Sequence, residues 1–450
     1  MVSQMSYFRI RQSQSKILPA WFAARNLVCL AVVFFLVFGV WERSALALSE
    51  TTRDQLMVFA EALSIIEDNH VDPKDTKQLI YGAIKGMVTS LDSHSSFMAP
   101  EDFKELQIET KGSFSGIGIE ITLKDNLLIV VSPIEGTPAY RAGLQAGDRI
   151  IKIDGQNTKN MNLLDAVRRI RGTKGSTITL TIMRENADKL KTISMVREII
   201  PIRSVRLRYF EDGLGYIRIT NFQDKTDHDL KQGLKDLQSK LKPLRGLILD
   251  LRNDPGGLLD QAVKVSDEFL TSGLIVYTEG RNRTQSMRFY ANDRSTGLEK
   301  NLPLVVLINE GSASASEIVA GAIQDQKRGL IVGTKSFGKG SVQSIIPLED
   351  GSALRLTTAH YYTPSGRSIN EKGIQPDLVV EAPPIPEGKS VKDLRQEALD
   401  RRMRGEGIID KSWTIPISNE ELGKDPQLAR AVQVLRQWPP KKLTEAATRP

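Results

Sequence analysis

Ser314 lies in the run Gly311-Ser312-Ala313-Ser314-Ala315-Ser316-Glu317, with Lys339 downstream and Gln343 a short step beyond the lysine. The apolar stretch Pro303-Leu304-Val305-Val306-Leu307-Ile308 before it has strand length, and Ile318-Val319-Ala320-Gly321-Ala322-Ile323 after it reads as a helix. A serine on a strand-to-helix turn projects its hydroxyl from the sheet edge. It also sits at a helix N-terminus, where free backbone N–H groups can hold an oxyanion. Such a nucleophile needs a base. The four histidines, His70, His94, His228 and His360, are none of them flanked by a catalytic pattern, and His94 falls in a polar turn far upstream. A lysine can take a serine's proton if it is neutral. That requires lowering its pKa from about 10.4 by roughly 3 units, about 4 kcal/mol of desolvation and neighbouring dipoles. Ser–Lys dyads are one form of the serine-hydrolase plan. On spacing alone, the same residues read equally well as small turn residues followed by a solvated lysine.

Two segments decide between these readings. Asn309 to Ile318 and Lys335-Ser336-Phe337-Gly338-Lys339-Gly340-Ser341-Val342-Gln343 resemble the two signatures of the carboxyl-terminal processing, or tail-specific, proteases. The resemblance runs from about residue 51 to about residue 382. It implies that Ser314 is the nucleophile, that Lys339 is the base and that Gln343 orients the lysine. No metal or organic cofactor is implied. Asp325 falls where a related subgroup has an aspartate important for activity.

Lys339 also sits in a near-match to a phosphate-binding loop, Gly333-Thr334-Lys335-Ser336-Phe337-Gly338-Lys339-Gly340. The last position is glycine where a magnesium-binding hydroxyl is required. The following Val342-Gln343-Ser344-Ile345-Ile346-Pro347-Leu348 alternates like a strand instead of opening a helix. Nucleotide binding is therefore set aside.

The elements that must position this chemistry form an α+β multidomain chain. Residues 48–110 read as helices, with Leu56, Phe59, Ala60, Leu63 and Ile66 on one helical face. Residues 111–200 resemble a PDZ domain, a small β-sandwich-like module. In it Ile117, Gly118 and Ile119 can present backbone amides to a terminal carboxylate, and the strand that follows can be extended by a peptide. Arg171 is either a further contact to such a tail or a solvated charge. Residues 201–382 contain an approximate repeat. Leu247 to Leu251 leads into Arg252-Asn253-Asp254-Pro255-Gly256-Gly257 and a helix, as Pro303 to Ile308 leads into the Ser314 turn and a helix. Two such units suggest a ββα spiral resembling the enoyl-hydratase fold. Gly256 or Gly257 would bring one N–H to the nucleophile, and Ala315 would offer the second oxyanion donor. Residues 383–450 form a charged tail with a helix expected from Asp425-Pro426 to Trp438, packed on the body or on a second subunit.

Length allows two to four domains with ample core. The net charge of +7 is carried partly by the leader and tail, so no nucleic-acid surface is read from it. The sole cysteine, Cys29, excludes disulfides within one chain and cysteine metal clusters. It lies in the apolar stretch Leu27–Trp41, which follows Arg9, Arg11, Lys16 and Arg25 and precedes Ala45-Leu46-Ala47. That order is a signal peptide cleaved after Ala47, with an uncleaved anchor as the alternative for residues 1–47. Either way, the remainder is expected outside the cytoplasmic membrane or in the periplasm, touching the membrane only through this segment. The sequence thus predicts an exported serine endopeptidase acting on proteins with free, apolar C-termini. A homo-oligomer and a regulatory protein partner are further expectations. A PDZ scaffold with an inactive protease-like domain, or a hydratase-like acyl-CoA enzyme on the same fold, is the alternative. The first has no need of Ser314 and Lys339, and the second does not usually carry an export signal or a PDZ module.

Overall fold

The structure, a computed structural model, describes residues 49–124, 127–184, 189–292, 301–381 and 416–438. The leader or anchor read in residues 1–47 lies outside these residues, as does most of the tail after 382. Among the described residues no helix is long and apolar enough to cross a membrane.

The chain divides into a unit ending at Ala83 and a second beginning at Ile84. The first contains the helix Glu50–Asn69, opened by the Ser49 hydroxyl, which accepts the Thr52 N–H. The helix Thr76–Thr89 follows and runs on into the second unit.

Within the second unit, Pro100–Lys111 forms a helix with proline in its first turn and left-handed Gly112 at its end. Beyond it stands a six-stranded antiparallel sheet that includes Ile119–Lys124, Leu127–Pro133, Arg149–Ile153 and Thr177–Met183. Ile178, Leu180 and Ile182 alternate into a core shared with Ile117, Ile121 and Val130. The helix Leu163–Ile170 packs over this core through Ala166 and Ile170. Among the described residues Ile119–Lys124 pairs only with Leu127–Pro133, which leaves its other edge without a strand partner there.

The next sheet orders Val205–Tyr209, Leu214–Ile219, Gly246–Asp250, Leu304–Ile308, Leu330–Gly333 and Leu378–Val379. The first pair is antiparallel and the rest are parallel. Gly246–Asp250 and Leu304–Ile308 are buried throughout, which is why they read as unbroken apolar runs. Leu247, Leu249, Leu304, Val306 and Ile308 face the helices Leu259–Phe269 and Ala315–Asp325. Ile248, Val305 and Leu307 face the other way, onto Leu428, Ala431, Val432 and Leu435. The C-terminal helix Pro426–Arg436 therefore covers the second face of this sheet, and of the two placements expected for it the structure has the packed one. A further five-stranded sheet carries Ser341–Pro347 against Ala353–Tyr362, with Ser96–Met98 on the far side of the latter.

The two repeated strands are adjacent and parallel, so the turns that leave their carboxyl ends lie side by side. In parallel sheets this is where sites form.

Candidate active site

The serine turn is stitched to its neighbour by its outer serines. Ser312 Oγ donates to the Leu251 carbonyl at 2.7 Å and accepts the Asn309 N–H at 3.0 Å. Ser316 Oγ donates to the Asp254 carbonyl at 3.1 Å. Both serines are fully buried. Ser314, between them, occupies the N-cap of Ala315–Asp325 with φ 55° and ψ −111°, a left-handed conformation rare for a residue with a side chain.

The glycine turn closes on the same point. Gly256 has φ +98°, and a Cβ there would lie 2.8 Å from Ser314 Cβ and 2.9 Å from the Ala315 nitrogen. Only glycine allows this approach. Gly257 instead is bridged to Phe222, and a Cβ on it would strike the Phe222 carbonyl at 2.1 Å. Of the two glycines, Gly256 is the one against the serine. Its N–H donates to Asp254 Oδ1 at 2.9 Å in this structure. Ala315 opens the helix, where the amide has no intrahelical acceptor.

Glu317 joins the serine turn to the lysine loop. Its carboxylate is almost fully buried. Oε2 accepts the Ser314 N–H at 2.7 Å and the Lys339 N–H at 2.9 Å. Oε1 accepts the Gly338 N–H at 2.7 Å and the Ser336 hydroxyl at 2.5 Å. One carboxylate oxygen thus binds the backbones of both residues of the expected dyad. The Phe337 N–H adds a bond to the Ser312 carbonyl at 2.9 Å. Burial raises the Glu317 pKa above the usual carboxylate value, while the four bonds oppose the shift. Burial lowers the Lys339 pKa below the ordinary lysine value, the Arg355 charge lowers it further, and the Glu317 charge pulls the other way. Glu317 had no role in the reading of the sequence, although Ser314-Ala315-Ser316-Glu317 is a capping-box pattern that could have drawn attention to it. Its hold on Gly338 and Lys339 is a long-range contact with no local signal.

Comparison with known proteins matches residues 213–380 to peptidase family S41 and residues 105–183 to the PDZ domain. It matches residues 42–102 to the activating protease CtpB N-terminal domain. A carboxy-terminal-processing protease of Bartonella bacilliformis is 46% identical over 418 residues, covering 90% of this chain and 95% of its own. A carboxyl-terminal-processing protease of Synechocystis is 38% identical over 354 residues, covering 76% and 82%. The chain belongs to peptidase family S41. It is a carboxyl-terminal processing serine protease with a PDZ domain, and its substrates are proteins.

The remaining residues of interest in this S41 peptidase fall as follows. Gln343 lies just past a bulge in Ser341–Pro347, and its amide nitrogen reaches Ser341 Oγ at 2.8 Å and Thr357 Oγ1 at 3.4 Å. Thr357 is tied in turn to Ser95, and Ser95 to Asp92, so the turn around His94 buttresses the strand beside Gln343. Asp325 closes the eleven-residue helix that Ser314 caps, about 16 Å from its start. It pairs with Arg367 and accepts the Ser365 N–H, so it is not gathered with Ser314. In the PDZ domain Gly118 has φ +73° between buried Ile117 and Ile119. Arg171 is not a solvated charge: its Nη1 lies 2.6 and 2.7 Å from the Glu105 carboxylate oxygens, and its guanidinium lies over the Phe114 ring.

Proposed function

We propose that this peptidase cuts exported proteins near their C-termini with a Ser314–Lys339 dyad. The observation that carries this reading is the shared Glu317 Oε2, which holds the amides of Ser314 and Lys339 at 2.7 and 2.9 Å. That bond pair keeps the nucleophile turn and the base loop in register. In the reaction Ser314 Oγ attacks the scissile carbonyl, and its proton passes to neutral Lys339 Nζ. The oxyanion is met by the Ala315 amide and the adjoining glycine turn. Lys339 then protonates the leaving amine, and the acyl-enzyme is hydrolysed by a water that gives its proton to the same nitrogen. Gln343, on the strand that continues the lysine loop, orients Lys339.

The PDZ loop of Ile117, Gly118 and Ile119 receives the substrate's terminal carboxylate, and the open edge of Ile119–Lys124 pairs with the extended tail. Arg171, at the end of the helix that flanks this groove, gives the tail a cation when it leaves Glu105. The Leu27–Trp41 leader places the enzyme outside the cytoplasmic membrane. The full chain incubated with an unfolded protein bearing an apolar C-terminus should degrade or trim it. Ser314→Ala and Lys339→Ala should each abolish cleavage while preserving the melting temperature. Cleavage that persists in either variant would overturn the dyad.

A further inference from the structure

The segment 416–438 lies beyond the match to the peptidase family, which ends at residue 380. It nevertheless reaches the loop that carries Gly256. Arg252, at the head of that loop, is held on both sides. Its Nε lies 3.0 and 3.1 Å from the Asp250 carboxylate oxygens, and its Nη2 lies 2.7 Å from Asp250 Oδ2. From the other side, Nη1 meets Asp425 Oδ1 and Nη2 meets Asp425 Oδ2, each at 2.8 Å, a fork-to-fork pair. Gln427 Oε1 adds a contact to Nη1 at 3.1 Å and ties its own amide to the Val380 carbonyl. Asp250 is fully buried, accepts the Tyr216 hydroxyl at 2.7 Å and also accepts the Arg252 N–H at 2.9 Å. The carbonyls of Leu251 and Asp254, on either side of Arg252, are the ones to which Ser312 and Ser316 are stitched.

We propose that Asp425 is a positioning residue for catalysis, clamping Arg252 against Asp250 so that the glycine turn is held at its distance from Ser314. The C-terminal helix is then a working part of the catalytic module and not only a cover for the sheet. A guanidinium gripped bidentately from two sides cannot rotate, and with the Arg252 N–H also bonded to Asp250 Oδ1 the residue is tied at both ends where the turn begins. Removing one partner leaves a mostly buried cation short of one charge and gives the loop room to drift. A shift of about 1 Å in the turn that packs against Ser314 can cost about a hundredfold in rate.

This rests on the Ser314–Lys339 reading, and the test separates the two. The full chain with Asp425→Asn keeps a good N-cap for Leu428 and the same shape, but loses the charge. We expect kcat to fall about ten- to a hundredfold with KM changed less than about twofold. Asp425→Glu should recover part of the loss. Arg252→Gln should be impaired as well, and the double variant Arg252→Gln/Asp425→Asn should be no worse than the poorer single one, because the pair acts as one unit. An unchanged kcat in Asp425→Asn overturns the proposal. So does a loss that merely tracks a lower folded fraction in thermal melts, or losses that multiply in the double variant. Activity retained by Ser314→Ala would instead defeat the dyad itself.

Discussion

Gly256 lies so close to Ser314 that a Cβ on the glycine would come within 2.8 Å of the serine Cβ. The same Cβ would stand 2.7 Å from the Ala313 carbonyl, all of it main chain or rigid side-chain root with no flexible end to swing away. Gly256→Ala must therefore push the two turns apart, and it must do so at φ +98°, where an alanine is strained. Cleavage should drop by about a hundredfold or more, the scale of a misplacement of about 1 Å beside a reacting group. The fold has other supports, so the melting temperature should fall by only a few degrees. Initial rates and a thermal melt on the same preparation check both statements.

The three serines of the run should separate cleanly. Ser312→Ala and Ser316→Ala each remove a buried hydrogen bond between the turns and should cost about 1 kcal/mol of stability while leaving measurable cleavage. Ser314→Ala removes no such bond and should leave denaturant stability within about 0.5 kcal/mol of the parent, with no cleavage. Equal losses of activity in all three would mean that the run acts as one structural turn.

The pH–rate profile reports on Lys339. In the proposed mechanism its neutral form is the base, and its folded pKa lies below the ordinary lysine value. The rate should therefore rise with pH and level off well below pH 10.4, the approximate value for a free lysine. Glu317 raises that pKa and Arg355 lowers it. Glu317→Gln should move the rising limb to lower pH, and Arg355→Gln should move it to higher pH. Glu317→Gln should also lower the plateau, because an amide oxygen and NH2 cannot accept the four donors that the carboxylate holds. Limbs that both move the same way would show that these residues act through shape alone.

What the sequence could and could not reveal follows from the range of each signal. Strand, turn and helix around Ser314 are local, and the apolar run, the small residues and the next apolar face show all three. That Leu247–Leu251 and Pro303–Ile308 form related units is also local. Their adjacency and parallel pairing are not, because an unbroken apolar run tells burial on both faces and names no neighbour. The same limit hid the partners of charged groups. Asp425 reads as a helix cap and Arg252 as a loop residue, and nothing near either predicts that they meet. Arg171 read as either a ligand contact or a solvated charge because Glu105, its actual partner, lies on a separate helix.

The buried charges at the head of the glycine loop give an acid-stability prediction. The Asp250 pKa is lowered to about 2: burial opposes the ionised form, but Arg252, Arg218 and the hydrogen bonds outweigh it. A carboxylate with a depressed folded pKa stabilises the fold above its unfolded value of about 3.9 and loses that contribution as pH falls toward 2. The parent should thus lose stability steeply between about pH 4 and pH 2. Asp250→Asn should be less stable at pH 7, by about 3–5 kcal/mol for a broken buried pair, and flatter across the acid range. Parallel acid limbs for parent and variant would contradict the ionised pair.

Tail capture can be tested apart from the chemistry by working in the full chain with Ser314→Ala, which binds without cutting. Gly118, left-handed at φ +73°, turns the backbone between Ile117 and Ile119, and a Cβ there would overlap Thr137 at 2.4 Å. The converging amides of such a loop favour an anion, and the strand edge beside it favours an extended chain. Amidating the C-terminus of a peptide removes the charge while keeping length and sequence. Affinity should fall by about 1.5–3 kcal/mol, the scale of a hydrogen bond to a charged group. An apolar last residue should bind better than aspartate or lysine, because the strand edge beside the loop is backed by the apolar core that holds Ile117, Ile119 and Ile121. Gly118→Ala should weaken the free-acid peptide while leaving the amidated one nearly unchanged, since only the former uses the loop. Calorimetric affinities equal for acid and amide would reject recognition of the tail by this loop and leave the Ser314–Lys339 chemistry standing.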